Sequence, residues 1–295
     1  MPREIKFKIG DIQTAIEWKC GRSDFDPPRP YQPFISDGQA DILLGLHLDA
    51  PPTEFGEKIF DSQPIWSFYR DGNAASIHIF DQFPDLLRFL VFHPRFEEAD
   101  LYFAEPGGPN IDPFFGPTIE LLMINYLARG HGVIIHACGI DNNGIGMLFA
   151  GESGAGKSTL ANLWNQAAGA AVLSDDRILV RYIDGELRMY GTPWHGEAKF
   201  GSASGVTLKK IYFLSHGQKN AIQPLSSAES ILRLLQCSFP PFWDAAGMEF
   251  SMELFETLAT RIACYELAFR PDDSVIETIK RFADQTPASS SRAAV

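Results

Sequence analysis

Cysteine is scarce in this chain of 295 residues: Cys20, Cys138, Cys237 and Cys264 lie far apart and show no C-x-x-C spacing. That excludes a disulfide framework and a cysteine zinc site, and predicts buried thiols instead. There is no basic excess either: 25 Lys and Arg stand against 37 Asp and Glu, a formal net charge of −12, with no run of Lys and Arg to offset it. A nucleic-acid partner held through a general basic surface is thereby excluded, and any anionic ligand needs a local positive pocket. No stretch approaches the ~20 apolar residues of a membrane span. Met1-Pro2-Arg3-Glu4 leads into alternation rather than a signal-peptide core. The expectation is a protein without a membrane partner, most simply a cytoplasmic one. No internal repeat is present, and the length suits one large or two moderate domains.

What is present is a single strong motif. Gly151-Glu152-Ser153-Gly154-Ala155-Gly156-Lys157-Ser158-Thr159 fits the phosphate-loop pattern G-x-x-x-x-G-K-[ST]. Its flanks support it: Ile145–Ala150 is an apolar run of strand length. From Lys157 onward, Leu160, Ala161, Leu163, Trp164, Ala167 and Ala168 recur at helical spacing until Gly169. Glycines let the backbone curl so that several N–H groups converge on a phosphate, with the positive end of the helix dipole behind them. Lys157 adds a charge that reaches the β and γ phosphates, and the Ser158 hydroxyl suits Mg²⁺. The motif predicts ATP and Mg²⁺ as ligands.

Around the motif the pattern divides in two. Residues 1–110 read as a smaller, mainly β domain: Ile5–Ile9, Ile42–Leu48, Ile65–Tyr69 and Ile77–Phe80 carry strand signals. Pro106-Gly107-Gly108-Pro109 is the expected linker. Residues 111–284 read as a mixed α/β catalytic domain. A helix around Ile119–Leu127 precedes a hairpin, Val133–Ile140 with Ile145–Ala150. Then come a short strand at Val172-Leu173, a second hairpin across Asp184-Gly185 and a strand Leu208–Leu214. Two helices, a strand Cys264–Phe269 and a final helix Asp273–Phe282 complete it. The tail, 285–295, is small and polar, and is expected to be frayed.

The two hairpins locate the remaining candidates. A two-residue Asn143-Gly144 turn pairs residues whose numbers sum to 287, which sets His136 opposite Gly151 at the mouth of the loop. Ser174-Asp175-Asp176 ends the strand after the loop's helix, where a nucleotide-binding protein needs acid for Mg²⁺. Adjacent aspartates in a strand face opposite ways, so one is expected to accept a proton from an attacking hydroxyl and the other to hold the metal. Across Asp184-Gly185 the numbers sum to 369, which returns Pro193 and Trp194 opposite Asp176 and Asp175. The loop Thr192–Glu197 is thereby delivered to the same centre: Glu197 is a further metal candidate, and His195 or Lys199 is a candidate contact to phosphate or substrate. Gly201–Gly205 reads as a flexible hinge or lid.

The block His131–Ile140, the loop Gly151–Thr159 and Leu173-Ser174-Asp175-Asp176 together resemble the HPr serine kinase/phosphorylase family, whose P-loop fold is shared with ATP-dependent phosphoenolpyruvate carboxykinase. His136 stands 21 residues before Lys157 and Asp175 stands 18 after it, as the active-site histidine and proton-accepting aspartate of that family do. The resemblance covers about Gly130–Leu214. It implies a P-loop kinase domain, Asp175 as base, and His136 and Lys157 as catalytic partners. Ser158, Asp176 and Glu197 are then metal ligands. It also implies a hydroxyl-bearing phosphoacceptor, whether protein, peptide or small molecule, and a possible homo-oligomer. The family's Lys-Ser-Glu is Lys157-Ser158-Thr159 here, its R-G-L-G-I segment is missing, and Glu197 falls three residues short of the family's metal-binding glutamate. The expectation is therefore a divergent relative with another substrate than HPr. A rival of another class is a nucleotide-controlled switch with little or no phosphotransfer. Leu214-Ser215-His216-Gly217-Gln218 mimics the signature loop of transport ATPases, but it ends a strand and no apolar strand closing in Asp-Glu follows. No guanine-reading N-K-x-D occurs.

Overall fold

The computed structural model describes residues 4–19, 26–48, 52, 55–62, 64–72, 74–80, 88–103, 114 and 116–285. The tail beyond 285, the linker at 106–109 and Cys20 lie outside them. The chain divides into two compact units, Met1–His131 with Pro241–Met248, and Gly132–Pro240 with Glu249–Val295.

In the first unit eight strands make one sheet. They are β1 (Glu4–Ile9), β2 (Ile12–Trp18), β3 (Ile42–His47), β4 (Glu57–Ser62), β5 (Trp66–Asp71), β6 (Ala74–Ile79), β7 (Arg88–Phe92) and β8 (Glu98–Phe103), in the order β1-β2-β3-β8-β7-β6-β5-β4. β3 is parallel to both its neighbours, and the other pairs are antiparallel. Alternation drives the packing in β1, where Ile5, Phe7 and Ile9 are buried and the intervening lysines are not. Helix α1 (Thr118–Leu127) belongs to this unit, although the sequence places it with the catalytic half from residue 111. The reason is a distant segment. The Trp243 indole N–H donates to Asn125 Oδ1 at 3.0 Å, and Arg129 meets Asp244 at 2.5 Å. The Trp243 ring packs against Trp66, Phe60 and Phe68 of the sheet.

The second unit is mixed α/β. Its elements are β9 (Val133–Asn142), β10 (Ile145–Ala150), α2 (Lys157–Asn165), β11 (Ala170–Ser174), β12 (Arg177–Ile183), β13 (Glu186–Tyr190), β14 (Gly205–His216), β15 (Ala221–Pro224), α3 (Ser227–Gln236), α4 (Ala245–Arg261), β16 (Ala263–Phe269) and α5 (Ser274–Gln285). β9 and β14 are long enough to serve two partners each. The first part of β9 pairs β12 and its last part pairs β10 and β11, while β14 pairs first β13 and then β10 and β16. Both hairpins have the expected register, Ala150 against Ala137 and Tyr190 against Leu179. Asn143, Gly144, Asp184 and Gly185 all have positive φ, as a two-residue hairpin turn demands.

Successive residues of the central strands feed opposite faces. Ile135, Leu148 and Phe213 pack with Leu234 of α3 and Phe255 and Leu258 of α4. Cys138, Phe149 and Tyr212 pack with Leu160 and Trp164 of α2 and Val275 and Ile279 of α5. The period of two therefore builds a helix layer on each side of the sheet. Cys138, Cys237 and Cys264 are free and buried, as expected, and burial pushes each thiol up.

Candidate active site

β10 and β14 run parallel, so their C-terminal ends open at one edge, where the glycine loop begins. The loop rises from Ala150 and enters α2 at Lys157. Gly156, at φ +99°, is the N-cap residue, and a Cβ there would lie 2.6 Å from the Phe269 ring. A side chain at this position is thus barred both by conformation and by space. No side chain caps α2, so its first-turn N–H groups have no side-chain cap as acceptor. Lys157 is buried and folds back over the loop, donating to Gly151 O at 3.0 Å and Glu152 O at 2.9 Å. Burial lowers its pKa, and the nearby Asp176 works against that.

His136 arrives as the hairpin register predicts: the Gly151 N–H donates to His136 O at 3.4 Å. On its other side, β9 pairs with β12 so that His136 lies opposite Arg177. That places the His136 ring against the preceding residue, Asp176, with Nε2 2.9 Å from Oδ1. Arg177 closes on the other oxygen of Asp176 and stacks its guanidinium 4.2 Å from the Phe239 ring centroid. Burial pushes the Asp176 carboxyl up, but the hydrogen bond from His136 and the charges of Arg177, His136 and Lys157 outweigh it and hold it below its ordinary value.

Asp175, in the bend between β11 and β12, faces the other way and is fully buried. Oδ1 accepts the Gly196 N–H at 3.0 Å and the Phe200 N–H at 3.2 Å, and Oδ2 accepts the Ser158 hydroxyl at 3.0 Å and the Ala198 N–H at 2.9 Å. Four donors fill the roughly four acceptor positions of a carboxylate. No position remains to take a proton from a substrate.

The loop after β13 reaches this centre, although the ladder stops at Tyr190 and Pro193 and Trp194 form no strand pair. Thr192 Oγ1 keeps the register by donating to Arg177 O at 2.7 Å. It is the backbone of residues 196–200, rather than their side chains, that meets the acid. Glu197 is exposed, and among the described residues no three His, Cys, Asp or Glu side chains gather as a metal site. Lys199 is also exposed, and His195 Nδ1 lies 3.1 Å from Gly196 O. Gly201–Gly205, read as a hinge, is tied down instead. Gly201 bridges Ser174, and the Ser202 N–H donates to Leu173 O at 2.8 Å.

Close approach makes Gly196 indispensable: a Cβ there would lie 2.8 Å from Asp175 Oδ2 and 3.2 Å from Asp176 Cβ. Gly196→Ala is expected to lower stability by about 1–3 kcal/mol, the usual cost of overpacking. Urea denaturation checks this, and an unchanged midpoint would refute the tight packing.

Two contributors were not read from the sequence, Arg177 and Phe239. The signal for Arg177 was available, since it directly follows the acid pair. Phe239 enters through the segment after α3, which adds to β9: the His136 N–H donates to Cys237 O at 2.6 Å and the Phe239 N–H to Ile134 O at 3.0 Å.

No protein family and no curated protein matches the chain in sequence. Among solved structures it is similar to the Hpr(Ser) kinase/phosphatase from Coxiella burnetii, at 14% identity and a TM-score of 0.31, over 52% of this chain and 96% of that one. At that score the case for a function rests on the residues themselves.

Proposed function

We propose that the chain is an ATP-dependent phosphotransferase acting on a hydroxyl. The observation that carries the reading is the 3.0 Å bond from Ser158 to Asp175, which joins the glycine loop to the acid pair at one point. The donor set fits MgATP. An uncapped helix start and a buried lysine suit phosphate, and the Ser158 hydroxyl with the aspartate oxygens suits a hard cation. Bound there, Mg²⁺ supplies charge neutralisation for the phosphates.

The chain's own residues then divide the work. Lys157 offers its ammonium to the terminal phosphates, from a buried position where its field is little screened. The Ser158 hydroxyl is on the metal side, and Asp175, locked in place by the 196–200 backbone, accepts its proton and so turns its lone pairs outward. Asp176, paired with His136 and open at its edge, accepts the hydroxyl proton. This moves the base from Asp175, where the motif resemblance implies it, to Asp176, because Asp175 has its acceptor positions filled.

The test is to incubate the protein with γ-labelled ATP, Mg²⁺ and lysate, and to follow the label. Transfer to a discrete acceptor by wild type and not by Asp176→Asn supports the reading. Tight Mg²⁺-dependent ATP binding with no transfer would replace it with the regulatory switch.

A further inference from the structure

We propose that Phe239 is a positioning residue for the proton acceptor: its ring is the platform on which Arg177 lies, and Arg177 fixes the Asp176 oxygen that His136 does not hold. The proposal rests on the reading above in which Asp176 takes the hydroxyl proton.

Phe239 is set in place by a short strip of chain. Directly after α3, the Cys237 carbonyl accepts the His136 N–H at 2.6 Å, Ser238 bridges Ile135, and the Phe239 N–H donates to Ile134 O at 3.0 Å. The Ser238 hydroxyl ties the strip back to α3 by donating to Leu234 O. β9 therefore carries this strip on one edge and β12, with Arg177 opposite His136, on the other. The Phe239 side chain is half-buried, and its ring reaches both partners of the acid: Arg177 Cζ lies 4.2 Å from the ring centroid, and the His136 ring lies 6.1 Å from it, centroid to centroid.

The arrangement suits orientation rather than substrate binding. A guanidinium on a long stem settles only where something holds its plane, because ordering the stem costs rotamer entropy. Here an aromatic face within cation–π range covers one side of that plane, and Nη1 is engaged by Asp176 Oδ2. His136 Nε2 meets Oδ1 at 2.9 Å, so the carboxylate is gripped at both oxygens. A carboxylate has about four acceptor positions, so these two contacts leave each oxygen a lone pair with which to meet a hydroxyl. Asp175 differs in just this respect, since four donors surround it. Without the ring, Arg177 has further rotamers to sample and the Asp176 carboxylate can turn. A misplacement of about 1 Å at a reacting group costs about 10²-fold in rate.

Phe239→Leu keeps apolar bulk and removes the π face, Phe239→Tyr keeps the face, and Arg177→Lys keeps the charge and removes the planar fork. Each is compared with wild type for the initial rate of label transfer from γ-labelled ATP, with Mg²⁺ and a fixed amount of lysate, as ATP is varied. Phe239→Leu is expected to lose about 10–100-fold in apparent kcat while the KM for ATP stays within about twofold of wild type. Phe239→Tyr is expected to recover wild-type transfer to within about twofold. Arg177→Lys should lose as much as Phe239→Leu, and the double variant no more than about twofold beyond either, because both changes act at one point. In spectra of protein labelled with ¹⁵N-arginine, the Arg177 guanidinium protons, assigned by their loss in Arg177→Lys, should be separately resolved in wild type and Phe239→Tyr and averaged in Phe239→Leu. Wild-type transfer by Phe239→Leu, a raised KM for ATP with kcat unchanged, a loss that tyrosine does not recover, losses that add in the double variant, or guanidinium signals indifferent to the ring would each overturn the assignment. A wild type that binds MgATP but labels nothing would overturn the phosphotransfer reading itself, and the guanidinium signals answer separately whether the ring holds Arg177.

Discussion

Lys157→Met is expected to bind MgATP about 10–100-fold more weakly than wild type and to transfer phosphate at least about 10²-fold more slowly. Hydrogen bonds to charged groups contribute about 1.5–3 kcal/mol each, and loss of a preorganised donor to developing charge costs about 10²–10³ in rate. Lys157 is placed to supply both. It is buried, starts α2, and is held at 3.0 and 2.9 Å by the carbonyls of Gly151 and Glu152, so it is ordered before any ligand arrives. Methionine keeps most of the apolar stem and removes only the ammonium, which separates the loss of charge from a loss of packing. Calorimetric titration with ATP and Mg²⁺ reads the affinity, and urea denaturation shows that the variant is folded. A folded Lys157→Met with wild-type ATP affinity would refute the phosphate-site assignment at its centre.

The sequence reveals most about this site where local chemistry fixes long-range geometry. Two turn dipeptides, Asn143-Gly144 and Asp184-Gly185, set the register of both hairpins. From that arithmetic alone His136 falls beside Gly151, and the loop after Tyr190 falls beside the acid pair. A turn of two residues leaves a strand pair no freedom to slip, because a one-residue shift would turn every side chain to the other face. Legibility ends where contacts join segments without a local signal. Asn125 and Trp243 are 118 residues apart, and nothing near either one shows that they bond and draw α1 into the first unit. Strands β2, β4, β7 and β8 were not separately resolved within the β signal of the first half. In β2 almost every residue is buried, which erases the alternation that marks a half-buried strand. Glu197 is a different case. Spacing brings its loop to the acid, but the loop binds Asp175 through backbone N–H groups, which no residue type announces.

That backbone clasp yields the second large prediction, which separates two neighbouring carboxylates. In Asp175→Asn the amide NH₂ must face two of the four donors that the carboxylate now satisfies, within a fully buried site. Each buried donor left without an acceptor costs about 1–3 kcal/mol, so the variant is expected to lose stability first and activity as a consequence. Asp176→Asn keeps an oxygen for His136 and sits at a partly exposed edge, so it is expected to stay folded, to bind ATP nearly as wild type does, and to lose about 10²–10⁴ in kcat. The pH dependence has a definite sign. The Asp176 carboxyl is held below its ordinary value of 3.8, so its ion pairs contribute stability in full above that value and lose it as pH falls through the lower folded value. Wild type should therefore show an Asp176-linked loss of stability only in strongly acid solution, below about 3.9, and Asp176→Asn should lack that component. Urea midpoints and kcat measured on both variants decide the matter: a stable but inactive Asp175→Asn beside an active Asp176→Asn would return the base to Asp175 and sink the division of roles argued from the hydrogen bonds.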